Sequence, residues 1–256
     1  MSTIVQPSTA PGPASPHILD NPAWAALTGP HAHLAERYGR AARYPLDVSP
    51  FTALADPADP AAWDDLATLV GPGTSTPVSG GITAPPAGWE TVERGEGVQL
   101  VDTAPAAEPE PEAVPLGPDD VPEILRLIAL TRPGPFLPRT IALGTYLGLR
   151  HRGQLIALAG ERLRPPGWTE ISAVCTHPDH RGRGLATRLV RAVAAGIRAR
   201  GDIPFLHASA SNTNAIRLYE SIGFTLRRRS GFLLVRTPAV RTSALRTSGA
   251  PREETA

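Results

Sequence analysis

His177-Pro178-Asp179-His180-Arg181-Gly182-Arg183-Gly184-Leu185-Ala186-Thr187 links an apolar run, Trp168–Thr176, to a segment with helical periodicity, Gly184–Arg200. Leu185, Leu189, Val190, Val193, Ala194 and Ile197 fall on one side of that segment, so the stretch is a strand-to-helix turn. Glycines at 182 and 184 let the main chain turn its N–H groups toward one point without steric cost. The helix start adds unpaired donors and a partial positive charge. Arg181 and Arg183 add formal charge, which makes the turn a cradle for a pyrophosphate. Gly182-Arg183-Gly184 also resembles the opening of a dinucleotide fingerprint, but Thr187 stands where its third glycine is needed. Asp202 precedes its strand instead of ending it, which argues further against a nicotinamide or flavin site.

The flanking sequence supplies the other elements. Asp119–Asp120 is expected to cap a helix over Val121–Leu130, and Leu143–Arg150 and Gln154–Leu163 read as strands around a His151-Arg152-Gly153 hairpin turn. Beyond the periodic segment, Phe205–Ala210 reads as a short strand and Asn212–Ser221 as a helix. Phe224–Leu226 and Phe232–Val235 are expected to form a closing pair of strands.

Arg181-x-x-Gly184-x-Ala186 resembles the Q/R-x-x-G-x-G/A loop of the GNAT acetyltransferases. Asn212-Thr-Asn-Ala215-Ile-Arg-Leu-Tyr219 followed by Gly223-Phe224 resembles that superfamily's N-x-x-A-x-x-x-Y…G-F element. The resemblance covers roughly Val121–Val235 and implies a mixed central α/β sheet flanked by helices, preceded here by a smaller α/β region. It implies acetyl-CoA as co-substrate and an amine as acceptor. The main chain of Val174, Cys175 and Thr176 would pair with the pantetheine arm, and the Val174 amide would hold the thioester carbonyl. The amides of Gly182, Arg183, Gly184, Leu185, Ala186 and Thr187, with the Arg181 side chain, would hold the pyrophosphate. Asn212 and Ala215 would line the cofactor's far side. Tyr219 would be the general acid for the leaving thiolate, a phenol of pKa about 10 serving a thiol of about 8.5.

The resemblance also implies Glu170 as the base, since it lies on the strand entering the loop, where several members of the superfamily carry a glutamate base. His207 on the neighbouring strand and ordered water are its rivals. Cys175 admits a cysteine-relay mechanism as an alternative, although regular alternation with Val174 and Thr176 turns its side chain away from the cofactor. A silent acyl-CoA-binding regulatory module is the other alternative. His177, Asp179 and His180 share one loop with no fourth partner, so no metal is expected.

The 256 residues divide into a disordered start (1–17), an N-terminal α/β region (18–102), a Pro/Ala/Glu linker (103–118), the acetyltransferase-like domain (119–238) and a flexible tail (239–256). Within the N-terminal region, Trp24, Leu27, Leu34 and Tyr38 suggest one helix and Ala61–Val70 another, while Val92 and Val98–Val101 suggest strands. No motif there carries chemistry. Residues 1–180 hold 11 Arg against 20 acids, and 181–236 hold 11 Arg against only Asp202 and Glu220. That asymmetry points to an anionic ligand, while the net charge of +1 argues against a general nucleic-acid binder. No apolar run of about 18 residues predicts a membrane helix, and the lone Cys175 permits no internal disulfide. A cytoplasmic location is expected.

Overall fold

The computed structural model describes residues 17–80, 84–103 and 107–239. The expectations of disorder before His17 and of a flexible tail after Ala239 lie outside those residues. Eleven strands form one sheet among the described residues, in the order β1-β2-β3-β4-β11-β5-β10-β9-β8-β7-β6. The N-terminal region supplies β1 (Glu36–Tyr38), β2 (Ala41–Arg43), β3 (Thr52–Leu54), β4 (Ser75–Ser79) and β5 (Glu90–Asp102), with α1 (Pro22–Leu27) and α2 (Pro60–Val70). The rest supplies β6 (Val114–Leu116), α3 (Val121–Thr131), β7 (Tyr146–His151), β8 (Gln154–Glu161), β9 (Trp168–Thr176), α4 (Leu185–Ala199), β10 (Ile203–Ser209), α5 (Thr213–Ser221) and β11 (Phe224–Arg236).

Local chemistry explains most of these bounds. The Asp59 carboxylate accepts from the Ala61 amide at 2.9 Å and Pro60 opens α2, an N-cap followed by proline. Asp120 precedes α3 but gives it no side-chain cap, because its carboxylate takes the Gly117 amide and the Arg150 guanidinium. The helix expected through Trp24 and Tyr38 stops after Leu27, where Gly29-Pro30 breaks it, and Glu36–Tyr38 is a strand. The two closing strands expected at 224–226 and 232–235 are one continuous strand, β11. Its middle, Arg227–Gly231, is held extended by pairing with β5, with a bulge between Leu226 and Arg228.

Helices cover both faces of the C-terminal half of the sheet. On one, α4 buries Leu189, Val190, Val193 and Ile197 against Val98, Leu100, Ile156, Ile171 and Leu206, with Tyr219 of α5 in the same cluster. Each such buried Leu, Ile or Val contributes ~1.5–3 kcal/mol. On the other, Ile124, Leu127 and Ile128 of α3 meet Tyr146, Leu158 and Cys175, and α1 packs beside them against Phe205.

The segment expected as a linker lies between two strands of one sheet. β5, which precedes it, is antiparallel to β10 and β11, and β6, at its end, pairs with β7.

Candidate active site

β9 and β10 are parallel and hydrogen-bonded only from Trp168–Ile171 to Ile203–Leu206. Past that point β10 stays with β5 through Ser209 and β9 stays with β8 through Thr176. The strands therefore part into a fork bounded by residues 172–176 and 207–209. A bulge begins the divergence: Leu158 faces Cys175 and Gly160 faces Ser172, so Ala159 opposes both Ala173 and Val174. Ala173 takes φ +56°, which is left-handed backbone held by its surroundings.

The bulge also resets which side chains face which helix. Ile171 and Val174 lie with the α4 cluster, whereas Ala173 and Cys175 lie with the α3 cluster. Cys175 thus points away from α4, as regular alternation also required, but the strand is not regular. Burial pushes its thiol up to about 11, so almost none is thiolate at neutral pH. Cys175→Ala keeps the main-chain amide of β9, and kcat and KM are expected to move less than about threefold. A variant that still takes up acetyl-CoA yet transfers nothing would revive the relay.

The loop after β9 leads into α4 with Gly184 as N-cap in the left-handed region, at φ +72°, and with no side-chain cap. Gly182 is also left-handed at φ +75°, and open space lies where a side chain would project from either glycine. The first N–H groups of α4 have no partner within the helix. Arg183 makes no ion pair among the described residues, and Arg181 donates to the Thr176 carbonyl at 3.4 Å. Thr176 Oγ1 is buried at the fork without a partner among the described residues.

The arginine excess of 181–236 is largely neutralised inside the molecule. Arg188 holds Glu110 at 2.7 and 2.8 Å and also Glu112, Arg198 pairs with Asp102, and Arg200 with Glu161. Arg227 and Arg228 share Asp20, and Arg236 reaches Glu90. Most of the asymmetry is therefore charge pairing across the sequence, and among the described residues Arg181 and Arg183 of the loop, with Arg217 and Arg229, are left without an ion pair.

Glu170 is fully buried. Arg162 donates to both its oxygens, at 2.9 and 2.6 Å, and His207 Nδ1 is 2.7 Å from Oε1. Burial opposes its charge, but these two partners overcome that and hold the carboxyl down at about 2. With a folded value below the usual ~4.3, its stabilising contribution is present above that pH and is lost as pH falls toward 2. Tyr219 is buried on α5, its ring edge-on to Phe224, and burial raises its phenol to about 12. Asn212 caps α5 by accepting from the Ala215 amide at 3.1 Å.

Sequence reasoning missed Gln99 and Arg162. Gln99 is buried on β5 and bonds His207, while Arg162 follows β8 and stacks over Phe51 at 4.8 Å. An isolated glutamine in a strand carries no pattern. Arg162, eight residues before Glu170 across a hairpin connection, was the one legible clue.

The FR47-like protein family model matches residues 146–233, from the start of β7 into β11. Over 90 residues, 33% of this chain, the sequence is 38% identical to N-alpha-acetyltransferase RimI of Mycobacterium tuberculosis, matching 56% of that protein. Over 57 residues, 22% of this chain, it is 46% identical to the mycothiol acetyltransferase of Thermobispora bispora, matching 19% of that one. The chain therefore spans about half the length of the first of these relatives and a fifth of the second. A crystal structure from Novosphingobium aromaticivorans, described as that of a GNAT-family protein, aligns with 41% identity and a TM-score of 0.79. That likeness covers 86% of this chain and 98% of the other, a share too large for the C-terminal half alone. By this match across both halves, the chain belongs to the GNAT family.

Proposed function

We propose that the chain transfers an acetyl group from acetyl-CoA directly to an amine. The fork between β9 and β10, opening into the Arg181–Thr187 loop, is the observation that carries this reading. The residues fit the cofactor: a parted strand edge, a buried hydroxyl at Thr176 awaiting a partner, and a glycine turn with room over it.

Val174–Thr176 would take the pantetheine arm as an added strand, with the Val174 N–H on the thioester oxygen. The loop amides and Arg183 would hold the pyrophosphate, and the capped start of α5 would fix Ala215 on its far side. Acetyl-CoA supplies an acyl carbon activated by its thiol leaving group. Tyr219, kept protonated by burial, would donate its O–H to the departing sulfur. Glu170 is not assigned as the base, because its carboxylate is inaccessible and already bonded to two side chains. One relative is named for an N-alpha-acetyltransferase, so α-amines are the first acceptors to try, followed by side-chain and small-molecule amines.

Thiol release from acetyl-CoA with a panel of such amines tests the activity. For the loop, Gly184→Asp is the decisive substitution. Aspartate tolerates the left-handed backbone better than most residues, and it places a carboxylate in the cradle. Calorimetry should show CoA affinity lowered at least about tenfold, or ~1.4 kcal/mol, with the fold retained. An unchanged affinity in the folded variant would refute the loop assignment.

A further inference from the structure

The face of the sheet opposite α4 carries a connected path of polar side chains that joins the N-terminal region to the fork. Arg162 holds Glu170, and Glu170 Oε1 lies 2.7 Å from His207 Nδ1. His207 Nε2 lies 3.1 Å from the amide nitrogen of Gln99, which also donates to the Leu19 carbonyl at 2.9 Å. The amide oxygen of Gln99 accepts from Arg227 at 2.7 Å, and Arg227 is anchored on Asp20 at 2.7 Å.

The donors in this path fix its protons. Arg227 can only donate, so the Gln99 oxygen must face it, and the Gln99 NH2 must face Leu19 and His207. An NH2 can only donate as well, so His207 Nε2 is an acceptor and carries no proton. The single proton of the neutral ring is then on Nδ1, donated to Glu170. Tautomer and ring orientation are both set, one by a residue of β9 and the other by a residue of β5.

Position adds the second argument. His207 is the first residue of β10 beyond its last rung with β9, at the root of the fork. Its side chain is 25% exposed, whereas that of Glu170 is 0% exposed. Of the two, only the imidazole presents surface to solvent.

Given the acetyl-transfer reading above, on which this rests, we propose that His207 is the base for the attacking amine and Gln99 its positioning residue. The amine nitrogen bonds the acyl carbon, and the C–S bond breaks with its electron pair on sulfur. An N–H proton of the amine passes to His207 Nε2 as the weak Gln99 contact gives way, while the Nδ1–H stays on Glu170. Tyr219 serves the sulfur from the α4 side. The imidazolium later returns its proton to solvent. The charged and titratable groups around His207 are Glu170, Arg162 behind it, Arg227 with Asp20 beyond Gln99, and the buried Tyr44 near Glu170. On its own strand the Phe205 ring lies edge-on to it, with ring centroids 5.7 Å apart.

Gln99→Glu tests this. It keeps the shape and a partner for Arg227, but it turns an acceptor toward Nε2 and so favours a proton there. The acid limb of the kcat profile should move up by at least one pH unit. A plateau that falls with the limb unmoved would make Gln99 structural only and overturn the proposal. Side-chain ¹⁵N spectra of the wild-type protein, with His207 assigned through His207→Gln, should show Nδ1–H with unprotonated Nε2. The opposite tautomer would overturn the proposal even if Gln99→Glu fails to fold. The spectra read His207 whether or not any amine is acetylated, so failure of the transferase reading stays distinguishable from failure of this one.

Discussion

Residues 112–238, produced without the chain before them, are expected to emerge insoluble or unfolded and to bind no CoA. In the intact sheet β5 lies between β10 and β11, and β11 has no direct ladder to β10. Removing β5 detaches the last strand, and with it the α5 segment that carries Tyr219. Val98 and Leu100, almost fully buried in the α4 cluster, together account for ~3–6 kcal/mol of apolar burial. Ladder bonds to β10 and β11 go as well, each with a net value of about 1 kcal/mol. Arg227 loses Gln99, and Arg198 loses the Asp102 side chain, which is 3% exposed. A typical domain has only ~5–15 kcal/mol in total, so the loss is enough to unfold it. Amide dispersion in an NMR spectrum decides the matter. A second fragment starting at residue 88 keeps β5 and should recover part of that dispersion. A well-dispersed 112–238 fragment that binds CoA would make residues 119–238 an independent domain after all.

That expectation reverses a boundary drawn from composition, and the reason is physical. Proline, alanine and glutamate at 103–118 are what an extended segment needs, and an extended segment need not separate domains. Here Glu110 and Glu112 cross α4 and hold Arg188, while β6 joins the sheet edge. Local chemistry was legible where it is self-contained. The bounds of β9 and α4 followed from a proline-glycine turn on one side and a 3.6-residue period on the other. What was not legible depends on partners far along the chain. Arg227–Gly231 looks like a turn by itself and is strand only because Gln99–Glu96 lies beside it. The bulge at Ala173 has no glycine to announce it, yet it opens the fork and decides which side chains face α4. Glu170 was correctly placed on its strand. Its surroundings were not legible, because a carboxylate's availability depends on Arg162 and His207 around it, and no spacing rule encodes both.

Tyr219→Phe is expected to lower kcat by roughly 10²-fold, a typical effect for a positioned acid, while leaving the fold and CoA affinity close to wild type. The ring is buried against Phe224, and its hydroxyl makes no hydrogen bond among the described residues, so phenylalanine keeps the packing and strands no buried partner. Its phenol, raised to about 12, stands above a free thiol of about 8.5 by an amount worth roughly 5 kcal/mol. Complete proton transfer ahead of C–S cleavage is therefore uphill. Under the proposed mechanism the same dry surroundings would raise the thiolate too and narrow the gap, so the O–H would act as a hydrogen-bond donor that strengthens while charge builds on sulfur. An interaction made in the transition state and weak in the ground state appears in kcat and kcat/KM alike, with KM little changed. The raised phenol also means that kcat should show no alkaline fall from Tyr219 before pH about 10, since the group remains protonated to near 12. Replacing CoA with an analogue whose thiol is more acidic supplies a sharper test. A better leaving group needs less help, so the penalty of Tyr219→Phe should shrink with it. Full turnover in Tyr219→Phe would remove Tyr219 from the mechanism, and so would a penalty that stays constant across leaving groups whose departure limits the rate.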